Sequence, residues 1–106
     1  EALLVGYDGM LCGMGAPGSR FMVGIARAVD GGDVAEAVRL QNRFIGLFHG
    51  VYGAGLETVW VGQKYALKCL GLCASERTLA QRMEALTETR KREIEACVEA
   101  FRKELE

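Results

Sequence analysis

The sequence is short of the residues that most readily announce chemistry. Histidine occurs once, at His49, and no C-x-x-C is present, so the ligand spacing typical of a zinc site is missing. The four cysteines, Cys12, Cys69, Cys73 and Cys97, follow no disulfide-framework spacing and read as reduced, buried, small hydrophobes. Cys69 and Cys73 lie four apart, which on a helix places both thiols on one face. Neither sign of charge is in excess. Thirteen basic side chains against fourteen acidic ones leave a net charge of -1, which provides no electrostatic footprint for DNA or RNA. No apolar run approaches the roughly 20 residues of a membrane span, and no basic leader with a small-residue cleavage site precedes one. A soluble, cytoplasmic chain without nucleic-acid or membrane partners is the expectation.

What is present is globular composition: half the residues are hydrophobic and a quarter charged, which excludes a disordered tail. A length of 106 residues is one domain or a piece of a larger one. The chain starts at Glu1 in the apolar run "ALLV", as expected of a cut through a longer polypeptide.

Local signals divide the chain. Residues 1–6 read as a helix end stopped by Gly6, and "GMLCGM" at residues 9–14 reads as a strand apolar on both faces. Ser19 is a candidate N-cap for a helix to about Asp30. Asp33 with Glu36 fits a capping box, opening a helix with Ala37, Val38, Gln41, Phe44, Ile45 and Phe48 at three- and four-residue steps up to Tyr52. After the "GAG" break at residues 53–55, a third helix is predicted over Glu57 to Leu70. Its buried face is Val59, Trp60, Gln63, Ala66, Leu67 and Leu70, and Gly71 is its C′ residue. The remainder repeats Leu79, Met83, Leu86, Ile94, Cys97 and Phe101 among charged residues. It contains no proline, so Ser75 to Glu106 is either one long helix or two, with Thr87 capping the second. Three i,i+4 ion pairs are predicted there: Glu88–Arg92, Lys91–Glu95 and Glu99–Lys103.

A strand followed by a glycine-rich loop and a helix is one βα unit of a parallel sheet, and the strand's partners must then lie elsewhere. The ordered residues Gly6, Asp8 and Gly9, then Gly32, Asp33, Glu36, Ala37, Leu40 and Gln41, then Lys64, Ala66, Leu67, Leu70 and Gly71 carry a resemblance. With "ALTETRKREI", they resemble the dihydrodipicolinate synthase / N-acetylneuraminate lyase family of pyruvate-dependent class I aldolases, over nearly the whole chain.

The resemblance implies an α/β fold: the C-terminal part of a (β/α)8 TIM barrel, with its last strand and helix in residues 1–30 and a C-terminal helical extension over 31–106. It also implies a Schiff-base lyase, aldolase or hydro-lyase acting on pyruvate or other 2-oxo acids, without a cofactor, as a homo-oligomer (tetramer or dimer). The Schiff-base lysine and its tyrosine are expected upstream, so the segment holds no catalytic residue. Lys64, Lys68, Lys91 and Lys103 fall on helices outside the barrel.

By the same resemblance Leu11 is the aliphatic residue beside the keto acid, and Cys12 and Gly13 are the next two substrate-contacting positions. Gly13 stands where sugar-acid lyases carry serine, and Ala16 where many members carry asparagine; both departures argue against a polyhydroxylated substrate.

Bland readings accompany the rest. Cys12 has no cationic neighbour in sequence to make it a nucleophile, and "GMGAPGS" lacks the lysine of a phosphate loop. His49, Trp60 and Tyr65 read as core or interface residues, and the Arg90–Arg92 run as a solvated face. A second function class stays open: a freestanding helical interaction module without catalysis.

Overall fold

Capping residues and glycines punctuate the chain into helices, as the computed structural model of residues 1–106 displays: α1 (Gly15–Asp30), α2 (Val34–Tyr52), α3 (Val59–Cys69) and α4 (Glu88–Leu105). Two short 3-10 turns, Ala2–Val5 and Met83–Ala85, complete the regular structure. Asp33 Oδ1 accepts from the Glu36 N–H at 3.0 Å, so the expected cap on α2 forms. Its reciprocal half does not, because the Glu36 carboxylate turns to Arg39 instead. Thr87 Oγ1 accepts from the Arg90 N–H at 3.2 Å, which resolves the 75–106 alternatives in favour of a separate last helix. α1 begins at Gly15 rather than Ser19. Pro17 sits in its first turn, where a missing N–H costs nothing, and the helix bends at Gly18.

The α/β expectation is overturned. No strand forms: residues 9–12 are irregular, and the chain is a four-helix domain. A strand needs a neighbouring strand to satisfy its ladder, and the rest of the chain supplies none: it is helix, apart from the irregular linker between Cys69 and Met83 and the turns. The N–H groups of Asp8 through Leu11 accordingly donate to no acceptor in the chain. The reading of residues 1–30 as the last strand and helix of a barrel falls with the strand.

α2 is the hub and packs against the other three helices. Phe21 of α1 meets Phe44 of α2 and Phe101 of α4 at ring-centroid distances of 6.1 and 6.2 Å, tilted and edge-on, as aromatic quadrupoles prefer. Leu47, Val51, Val61, Ile94 and Val98 fill the space beneath, and burying each of these is worth about 1.5–3 kcal/mol.

The buried face of α3 is Val61, Gly62, Tyr65 and Ala66, rotated from the predicted one. Trp60 is half exposed, and Leu79 lies fully in solvent. The reason is Gly62: lacking a Cβ, it lets α3 approach the Val51 carbonyl of α2, which draws Val61 and Tyr65 inward. The predicted i,i+4 ion pairs on α4 are replaced by Lys91–Glu88, Arg90–Glu93 and Arg102–Glu99 at i,i+3, with Arg102–Glu106 at i,i+4.

Two long-range polar contacts finish the helix ends. Gln81 Oε1 accepts from the N–H groups of Trp60 (3.0 Å) and Val61 (3.2 Å), while its Nε2 donates to Glu57 O (2.7 Å), capping α3 from twenty residues away. Arg90 lies across the end of α2: Nη2 donates to Gly50 O (3.1 Å), Val51 O (3.4 Å) and Thr58 Oγ1 (3.2 Å). A cation at a helix C-terminus satisfies orphan carbonyls and the dipole together. The expectation of a solvated Arg90 is thus corrected; its side chain is only 16% exposed.

Candidate functional site

Residues 7–14 form a strap that leads into α1. Met14 anchors it, almost wholly buried, whereas Met10 and Leu11 face solvent and Cys12 is half-buried. A cleft of about 360 Å³ is lined by Leu11 and Cys12 together with Met22 of α1 and Gln41 and Phe44 of α2. A neighbouring one of about 460 Å³ shares Cys12 and Met22 and adds Tyr7, Asp8 and Met10. Two of the three expected substrate-contacting residues, Leu11 and Cys12, therefore share one cleft.

Gly13, the third, is not among its lining residues. It turns toward α2 and α3 instead: Gln63 Nε2 donates to Gly13 O at 2.8 Å, and the Tyr52 O–H donates to Gln63 Oε1 at 2.9 Å. A Cβ added to Gly13 would meet only the Tyr52 hydroxyl, at 3.6 Å, so the position has room for a side chain. Burial pushes the Tyr52 phenol above its ordinary range, which keeps it a donor. Sequence reasoning placed Tyr52 and Gln63 on core faces and missed their role. The available signal was a glutamine inside an otherwise apolar stripe.

The cleft walls are apolar, with one thiol and one primary amide. Two of the four lysines are engaged in ion pairs. Lys68 pairs with Glu76 at 2.7 Å and Lys91 with Glu88 at 2.9 Å, and both amines lie 5.9 Å from the Tyr65 ring centroid. The hydrogen bond to Glu88 raises Lys91 above the ordinary lysine range, the reverse of what an imine-forming amine needs. Tyr65 donates to Glu95, and that bond, with burial, raises the phenol strongly.

All four cysteines are free. α3 ends at Cys69, so Cys73 lies beyond the helix, donating to Ser75 O (3.3 Å) and Lys64 O (3.7 Å) rather than sharing a helical face with Cys69. Burial raises the Cys97 and Cys69 thiols. His49 is exposed, edge-on to Phe48 at 5.2 Å, which removes the core alternative for it and leaves the interface one. No group of three His, Cys, Asp or Glu side chains converges on a point where a metal ion would sit. No helix is long and apolar enough to cross a membrane.

Comparison with protein-family models, with curated proteins and with solved structures gives no match.

Proposed function

We propose that this chain is the helical, pocket-walling portion of a Schiff-base-forming lyase or aldolase (or hydro-lyase) acting on pyruvate or other 2-oxo acids. The observation that carries the reading is the ordered set of matching residues from Gly6 to Gly71, "GYDG" through "KYALKCLG". The cleft is compatible with it. An aliphatic side chain and a half-buried thiol suit the apolar flank of a small keto acid better than the reacting carbonyl. The imine-forming lysine belongs to another part of such an enzyme. Lys68 and Lys91 are tied into ion pairs, and a nucleophilic amine needs a setting that lowers its pKa. A cytoplasmic homo-oligomer, working without cofactor, completes the proposal.

Borohydride trapping tests it. The enzyme that carries this chain is incubated with pyruvate and other 2-oxo acids, reduced, and mapped by peptide mass. The expected result is a reduced adduct on a lysine outside Glu1–Glu106. A protein that traps none of these acids refutes the assignment.

A second reading, a helical interaction module without catalysis, is favoured by a different observation. The four helices share one continuous core, while the Asp8–Leu11 N–H groups stay unpaired. Sedimentation and circular dichroism of the 106 residues distinguish the two. A monodisperse species that melts cooperatively supports the module, and a molten or aggregating one counts against it.

A further inference from the structure

We propose that Gln63, oriented by Tyr52, is the positioning residue that, through Gly13, sets where Leu11 and Cys12 stand at the cleft. The inference deepens the lyase reading and rests on it for the substrate. Within the strap of residues 7–14, the bond from Gln63 Nε2 to Gly13 O is the one hydrogen bond that a side chain makes. The N–H groups of Asp8 to Leu11 donate to no acceptor in the chain, so the strap is held by this tether, by the buried Met14 side chain and by backbone bonds at its two ends: Tyr7 N–H to Ala2 O (3.2 Å), Gly15 N–H to Cys12 O (3.0 Å) and Gly18 N–H to Met14 O (3.0 Å).

The tether has a defined sense. A phenol has a single proton to donate, and Tyr52 donates it to Gln63 Oε1, which aims the amide nitrogen at Gly13. Tyr52 is itself fixed, buried at the end of α2 with its ring 4.7 Å from that of Phe48. The position of the α2–α3 pair is thus passed through two hydrogen bonds to the residues beside the cleft, Leu11 and Cys12.

Three variants separate tether from fold. Gln63→Glu keeps the acceptor for Tyr52 but has no N–H for Gly13 O. Gln63→Met removes both functions at similar size, and Tyr52→Phe removes only the orienting O–H. Amide exchange at Gly15 reports the strap turn, and exchange at Ile94 and Val98 reports the core. In this chain, Gln63→Glu and Gln63→Met are expected to lose about tenfold in Gly15 protection, and Tyr52→Phe about threefold, with core amides unchanged. In the enzyme that carries the chain, the same substitutions are expected to raise KM for the 2-oxo acid or its aldehyde partner about tenfold while kcat moves little.

Unchanged Gly15 protection in Gln63→Glu overturns the proposal, as does lost protection with an unmoved KM. If Gln63→Met exposes the core amides, Tyr52→Phe carries the test. An enzyme that traps no 2-oxo acid overturns the lyase reading and the substrate role of Gln63. Gly15 exchange, read on this chain alone, decides the tether separately.

Discussion

Replacing Gly62 by alanine tests the closest approach in the bundle. A Cβ at this position would fall well inside contact distance of the Val51 carbonyl oxygen, and would lie 3.1 Å from Thr58 Oγ1 and 3.2 Å from Thr58 Cβ. The carbonyl cannot yield easily. It belongs to the last turn of α2 and accepts from Thr58 Oγ1 at 2.9 Å and from Arg90 Nη2 at 3.4 Å. Relief therefore requires α3 to back away by about 1 Å, since carbon and oxygen contact at roughly 3.2 Å. Overpacking of this kind costs about 1–3 kcal/mol, and stretching the Thr58 and Arg90 bonds adds about 1 kcal/mol. Alanine returns about 1 kcal/mol of helix propensity. The net expectation is a loss of about 1–3 kcal/mol, a large share of the stability typical of a domain this size.

Urea unfolding followed at 222 nm measures the loss. Gly46→Ala on α2 is the control, because its new Cβ would meet only the edge of the Phe101 ring, at 3.3 Å, which can tilt away. That variant is expected to stay within about 0.5 kcal/mol of the parent. An unfolding midpoint for Gly62→Ala equal to or above that of the parent refutes the close-approach argument.

Arg90→Met leaves the Gly50 carbonyl without its donor and removes the bond that the buried Thr58 hydroxyl accepts, while Val51 O keeps its bond from Thr58, and it is expected to cost about 2 kcal/mol in the same urea assay; an effect below about 0.5 kcal/mol would assign Arg90 to the solvated face after all. Gln81→Ala uncaps α3 and is expected to cost about 1 kcal/mol while raising amide exchange at Trp60 and Val61 ahead of the rest of α3. Lys68 holds the Glu76 carboxyl below its ordinary range. Its contribution is fully present above the unfolded pKa of about 4.3 and is lost as pH falls through the lower folded value. Glu76→Gln should thus be less stable than the parent at pH 7 and equal to it near pH 2. A gap that persists unchanged at low pH rules out the ion pair as its source.

The legible features were those whose physics is local. Asp33 and Thr87 each cap a helix from three residues away, so type and spacing suffice to find them. Gly53 and Gly71 end α2 and α3 at positive φ (84° and 72°), a conformation the residue type itself suggests. Arg90 was missed although its position continues the buried stripe of Ile94, Val98 and Phe101 at four-, eight- and eleven-residue offsets; its charge masked the period. At the candidate site, the strap holding Leu11 to Gly13 was visible as an apolar run between glycines, but its conformation was not. A strand exists only with a partner, and a six-residue window cannot supply one.

The sequence by itself determined the cap that opens α2, the glycines that end α2 and α3, and that Leu11 and Cys12 belong to an apolar segment leading into a helix. Propensity, capping and glycine conformation act within a few residues, so the chain needs no neighbours to express them. The tertiary structure alone decided that the opening segment is an irregular strap, that α3 buries Val61 and Tyr65 rather than Trp60, and that Gln63 reaches across fifty residues to hold Gly13. Those outcomes depend on which surfaces meet, and the close approach at Gly62 selects the meeting.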